Sequence, residues 1–511
     1  MFNPDLETTC VSFLTCGKQW QITDNRMQLH TFNSPVCKFK KTVSLLTCLA
    51  ILFCGLITPE TASSLSIKEE DELSKEFLKA VFQEFEVIKD PVIDDYVNQV
   101  GHKIVAAMPE QPFPYKFYAV RQDAYNAFAG PGGHIFIFSG LFIALDNEDE
   151  LAALLAHEIA HVSCRHISDM IQKSKKTGMA TMAGVVAGIL VGLGGAGALG
   201  GALTVGSMAA GQSAALAYSR EHEMQADQIG RTYLQKAGYS LTGLQSVLKK
   251  IRTVDWFGPD EIPTYLKTHP ATDDRIMYLD NLLGSQPVIV PKKNEAFDRA
   301  HARMTALYGN PDQAARIFKS QIDANPDDSL AHYGYGLVME RNGNIKTAIT
   351  HLTIAQKLRP DDPYLKTDLG QACFLTGDYE RALNLLTSAP HNTPDKYLYL
   401  GRTQMALGQY AAAADTFKQL IIDDPEHGEA YFLMGEAKGK MNDLGSAHYY
   451  LGQHYFKKDD LKNARFHLTK ALEYEKDPAQ IDKIRKLLKE LDESESFFGR
   501  RRPEKQEEER R

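Results

Sequence analysis

The sequence predicts a mainly α-helical protein: a helical domain carrying a small β-sheet, followed by an α-solenoid. Three observations predict it. Two strand-like runs, Tyr115–Val120 and Gly133–Phe138, flank a glycine-rich turn within otherwise helical patterning. A helix-periodic stretch through His157 and His161 follows them. The C-terminal half then repeats small residues at a period near 34.

At 511 residues the chain exceeds one ordinary core, so roughly two or three domains are expected. A net charge of -8 with no basic face argues against a nucleic-acid partner, because phosphate binding needs clustered cations. Residues 1–64 read as an N-terminal extension and signal peptide. Lys38, Lys40 and Lys41 precede an apolar run from Val43 to Thr58, and Thr61-Ala62-Ser63-Ser64 supplies a small-residue exit. The run is shorter than the ~20 residues of a spanning helix. The long stretch ahead of it makes Met27 an alternative start to Met1. Cys54 follows Ile51-Leu52-Phe53, which lacks the small residue expected before a lipidated cysteine. Only Cys164 and Cys373 lie beyond the leader, in different predicted domains, so no disulfide framework is expected.

Residues 65–290 read as the first domain. Helical patterning begins near Ile67, and Asp90-Pro91 opens a second helix with a good N-cap and a proline in its first turn. Asn126-Ala127-Phe128-Ala129 reads as a short extended segment between the two strands. Asp146 is the expected N-cap of the next helix, with Glu148, Asp149 and Glu150 favouring its positive end. From Thr177 to Ser219, 43 residues carry no charge and are rich in Gly and Ala. That length suits a membrane-contacting or inserted element, or buried helices packed through small residues.

Residues 295–493 form the array. Ala314, Ala348, Ala382, Ala413 and Ala447 are 34, 34, 31 and 34 residues apart, and Gly336, Gly370, Gly401 and Gly435 each precede an alanine by 12. Pro-Asp recurs between units at Pro326-Asp327 and Pro360-Asp361. A 34-residue period with small residues where two helices touch is the mark of tetratricopeptide repeats, whose concave face binds protein segments. The charged tail, 494–511, is expected to be disordered.

The chemistry centres on His157-Glu158-Ile159-Ala160-His161. Four residues apart on a helix, both imidazoles face one side and can reach one metal ion. Glu158 projects beside that ion, where it can take a proton from water. An open zinc site needs a third ligand, commonly a carboxylate. Ser219 to Asp227 offers Glu221, His222 and Glu223 as candidates.

His157-Glu158-x-x-His161 with Glu223-x-x-Ala226-Asp227 resembles the gluzincin family that includes the CAAX prenyl endopeptidases and bacterial membrane-stress proteases. The resemblance implies a zincin-like metallopeptidase with one Zn2+ per chain, held by His157, His161 and Glu223. Glu158 would be its catalytic base and Asp227 an acceptor behind a ligand imidazole. It also implies catalytic roles for His269, of Thr268-His269-Pro270, and for Arg275. His269 would either fill the open zinc position at rest or stabilise the oxyanion. Asn126, Ala127, Phe128 and Ala129 resemble the family's substrate-binding edge strand. His134 and His166 match no role and read as structural or surface residues.

Signal, peptidase and repeats in this order resemble a periplasmic quality-control enzyme acting on unfolded outer-membrane proteins. Docking through the repeats to the outer-membrane β-barrel assembly machinery is implied with it. Two alternatives are a chaperone-like scaffold with a self-inhibited zinc site and an integral-membrane stress protease with 177–219 inserted.

Overall fold

A computed structural model describes residues 18–23, 26–31, 65–176, 218–252, 265, 268–269, 273–283 and 293–508. The apolar run 43–58 and nearly all of the uncharged segment 177–219 lie outside the described residues. The chain divides into two units, Met1–Ser64 and Leu65–Arg511. In the first, β1 (Lys18–Thr23) pairs antiparallel with β2 (Arg26–Thr31), which contains Met27. No helix among the described residues is long and apolar enough to cross a membrane.

The second unit opens with α1 (Ile67–Glu84), whose Ser66 and Glu69 form a reciprocal capping box. Asp90 caps α2 (Pro91–Val105) by accepting from the Val92 and Ile93 amides, as the Asp-Pro pair predicts. The sheet has the order β3-β5-β4. The strand β3 (Lys116–Val120) runs parallel to β5 (His134–Phe138), and β4 (Ala127–Ala129) runs antiparallel to it. A short α3 (Ser139–Ala144) leads to α4 (Glu148–Ser163), the helix of the His-Glu motif. Its cap is Asn147, one residue later than expected. The Asn147 Oδ1 accepts from the Glu150 amide, while Glu150 turns its carboxylate back to the Asp146 amide. Asp146 therefore sits ahead of the cap.

Nearly every residue of α4 beyond its first two is buried, with the sheet on one side and α6 (Arg220–Ala237) on another. The α4–α6 approach depends on Gly230, where a Cβ would lie 2.9 Å from the Ala156 carbonyl oxygen. Three more helices, α5 (His166–Lys176), α7 (Thr242–Arg252) and α8 (Asp273–Leu283), complete the described part of this domain.

The repeats follow as α9 (Glu295–Tyr308) to α19 (Leu461–Tyr474), antiparallel helix pairs with alanines at their crossings. A Cβ on Gly336 would meet Leu352 at 2.8 Å, and one on Gly370 would meet Leu386 at 2.7 Å. That contact explains the glycine-to-alanine spacing. The domain boundary is less sharp than 290/295. In α9, Phe297, Ala300 and Met304 complete the first domain's core, while Ala302 and Ala306 belong to the first repeat core. The last helix, α20, runs Pro478–Glu508, so the tail expected to be disordered is helical up to Glu508. Ahead of that tail, the exposed pairs Lys486–Asp482 and Lys489–Glu493, one turn apart, support the helix.

Candidate metal centre

His157 and His161 leave α4 one turn apart, with their Nε2 atoms 3.1 Å from each other. The N-cap Ser219 starts α6 so that Glu223 falls in its first turn and faces them. Glu223 Oε2 lies 3.5 Å from His157 Nε2, and Oε1 lies 3.4 Å from His161 Nε2. His269 adds its Nδ1 at 3.1 Å from Glu223 Oε1. Donor atoms of these four residues all lie within 4.8 Å of one another, and all four side chains are fully buried. Tetrahedral ligands on zinc bonds of ~2.0–2.1 Å stand ~3.3 Å apart, so the spacing of His157, His161 and Glu223 fits such an ion.

The charges fit as well. Burial alone would raise the Glu223 carboxyl, but the imidazoles of His269, His157 and His161 outweigh it and hold Glu223 well below the usual carboxylate range. His161 is pushed far down by burial, which keeps it neutral and able to ligate. For His157 burial also works downward, yet contacts with Asp227 and Glu223 win and raise it to about 10.

Asp227, one turn beyond Glu223, lies 2.9 Å from His157 Nδ1. A carboxylate only accepts, so His157 carries its proton on Nδ1 and turns a lone pair inward from Nε2. Arg275 grips Asp227 in a bidentate fashion, with Nε and Nη2 each 2.8 Å from a carboxylate oxygen, and also reaches Glu223. Its side chain is almost fully buried against these two carboxylates. Glu158 faces the cluster, 3.7 Å from His269 Nε2, and burial raises its pKa against the pull of His269 and His157.

The extended segment reaches the centre through its backbone. The Phe138 amide donates to the Asn126 carbonyl and the Gly130 amide to the His134 carbonyl. Residues 126, 128 and 130 thus bond inward to β5, and Ala127 and Ala129 turn their N–H and C=O groups away from β5. The Ala129 amide lies near enough to Glu158 to lower its pKa. Phe128 is a core residue stacked on Phe136, and the buried Asn126 amide has no hydrogen bond among the described residues. Of the competing ligand candidates, His222 bonds Asp169 at 3.1 Å instead, and Glu221 is outside the donor group.

Residues 91–283 match peptidase family M48. This stretch resembles an M48 metallopeptidase domain. Enzymes of this family are zinc-dependent, which agrees with the donor set. Tetratricopeptide repeats match at 297–363, 341–405 and 398–437. The chain is 29% identical over 307 residues to the putative β-barrel assembly-enhancing protease of Vibrio cholerae, covering 59% of this chain and 63% of that one. It is 26% identical over 395 residues to the β-barrel assembly-enhancing protease of Escherichia coli K12, covering 74% and 79%. The mitochondrial metalloendopeptidase OMA1 of Schizosaccharomyces pombe matches at 26% over 206 residues, 40% of this chain and 56% of its own. The first of these alignments spans less than two thirds of its relative's length.

Around the M48 motif the structure adds residues that spacing does not reveal. His166 is almost fully buried, with Nδ1 3.0 Å from His161 Nδ1. In an unbroken helix five residues turn by ~140°, away from His161. Here Arg165 adopts φ 56°, held by Glu70, and that break folds His166 back. Of the two readings, structural or surface, burial leaves the structural one, and His166 stands directly behind His161. Tyr218 and Tyr265 cover the imidazoles, Tyr218 stacking on His161 at 3.8 Å and Tyr265 on His269 at 4.6 Å.

Proposed function

We propose that the protein is a zinc-dependent endopeptidase of the periplasm, of the CAAX prenyl endopeptidase type, that degrades misfolded or stalled outer-membrane proteins and assists their assembly. The observation that carries this reading is the convergence of His157, His161 and Glu223 beside the Glu158 carboxylate. Their Nε2, Nε2 and carboxylate oxygen atoms would hold one zinc ion. When bound, the metal polarises the scissile carbonyl and makes water acidic enough to give up a proton near neutral pH.

Glu158 takes that proton and returns it to the leaving amine. Its raised pKa suits both halves of the task. The outward groups of Ala127 and Ala129 pair with the substrate backbone as an added strand, which binds unfolded chains of any sequence. Arg275 and Asp227 fix His157, and Arg275 also steadies Glu223. His269 occupies the fourth corner of the donor group at rest and moves toward the oxyanion when a peptide enters. The repeats carry clients or dock to the β-barrel assembly machinery. Support for the cellular role comes from the relatives' names, the order of domains and the leader.

A chaperone-like scaffold is favoured by one observation: all four donor residues and Glu158 are fully buried in this closed state. Incubating the purified protein with an unfolded outer-membrane β-barrel protein separates the two. Fragments are expected, lost on chelation and restored by zinc. An intact client beside a protein that holds its zinc would establish the scaffold.

A further inference from the structure

His161 is backed by two side chains in series, and we propose that these, His166 and Gln225, set the tautomer that leaves the His161 Nε2 lone pair free for a metal. The proposal rests on the zinc site described above. His161 Nδ1 lies 3.0 Å from His166 Nδ1, and His166 Nε2 lies 3.0 Å from Gln225 Oε1. Two imidazole nitrogens bond only when one carries the proton and the other a lone pair.

The direction is decided at the far end. An amide oxygen accepts only, so His166 donates from Nε2 to Gln225 and offers the lone pair on Nδ1. His161 must then donate from its own Nδ1, and its Nε2 is left unprotonated. That Nε2 is the atom 3.1 Å from His157 Nε2 and 3.4 Å from Glu223 Oε1. Turning the Gln225 amide over would present an NH2 group to His166 and reverse both bonds. The proton would then sit on His161 Nε2, pointing at the metal position.

His157 reaches the same tautomer through a carboxylate, Asp227. His161 reaches it through a neutral pair, which adds no further negative charge behind a centre already holding Glu158, Glu223 and Asp227. The His166 ring also stacks on His222, with centroids 4.3 Å apart and an 18° tilt. Gln225 reaches solvent, so its polarity can be changed without disturbing the core.

His166 and Gln225 are positioning residues, and zinc affinity of the intact chain, measured by competition with a chromophoric chelator, tests them. Gln225→Glu keeps an acceptor and is expected to bind zinc as the parent does. Gln225→Lys offers only a donor and is expected to weaken zinc binding by ~10–100-fold, as is His166→Ala. Circular dichroism and thermal midpoints of the metal-free variants check that each is folded. A residue that merely packs would treat the Glu and Lys variants alike, so equal zinc affinity in those two overturns the proposal. Glu223→Gln separates the two levels. If it loses zinc while Gln225→Lys keeps it, only the tautomer device fails. If Glu223→Gln and the parent bind zinc equally, the underlying site fails.

Discussion

Glu158→Gln lowers kcat on an unfolded polypeptide by roughly 10²–10⁴ while the zinc content stays at the parent level. The size follows from what the amide cannot do. It retains the length and shape of the carboxyl group but neither accepts the water proton nor returns it to the leaving amine. Zinc is retained because Glu158 is outside the set of donors that converge: His157, His161 and Glu223 with His269. The substitution is also mild for the fold. The Glu158 carboxyl is fully buried, its oxygens make no standard hydrogen bond among the described residues, and burial already pushes it toward its neutral form. Kinetics and metal analysis on the same preparation check both halves. Undiminished cleavage by Glu158→Gln would remove Glu158 from the chemistry.

Arg303→Met destabilises the protein by about 3–5 kcal/mol, the usual cost of leaving buried carboxylates without their cation. Arg303 lies in α9, where the two domains share a helix. Its Nε is 2.5 Å from Asp90 Oδ2, and its Nη1 is 2.7 Å from both Asp368 Oδ1 and the Tyr333 hydroxyl. Tyr333 in turn donates to Asp368 at 3.0 Å. The other oxygen of Asp90 caps α2, so one side chain joins the peptidase domain's second helix to the early repeats. Burial raises the Asp368 carboxyl even with Arg303 beside it, and without the guanidinium the Tyr333 hydroxyl is left to oppose that push. Urea unfolding measures the effect, and an unchanged midpoint would show that this cluster does not hold the junction.

The parts of this molecule that were legible in sequence are those written by periodicity. His157 and His161 at helical spacing, and Gly336 with Ala348 at repeat spacing, each fix a contact by counting residues. Asp90-Pro91 likewise announces a helix start, because cap chemistry is local. Asn147 is the cap because its Oδ1 accepts from the Glu150 amide three residues on, while Asp146 is held by its own amide donating to the Glu150 carboxylate. Features made by tertiary contact were not legible. His166 reaches His161 only because Arg165 breaks the helix, and what stabilises Arg165 is Glu70, far away in α1. Arg303 reads as an ordinary helix arginine until Asp90 and Asp368 close around it. Nor does spacing show that α9 buries residues in both cores.

The assignment of the metal ligands is tested most directly by zinc content per chain in the parent and in Glu223→Gln, with Glu221→Gln and His222→Ala beside them. The parent and the latter two are expected to carry one zinc each, because Glu221 and His222 stand outside the donor group. Glu223→Gln is expected to lose it, because an amide cannot replace the charged carboxylate whose two oxygens face His157 and His161. Full zinc occupancy in Glu223→Gln would contradict the account.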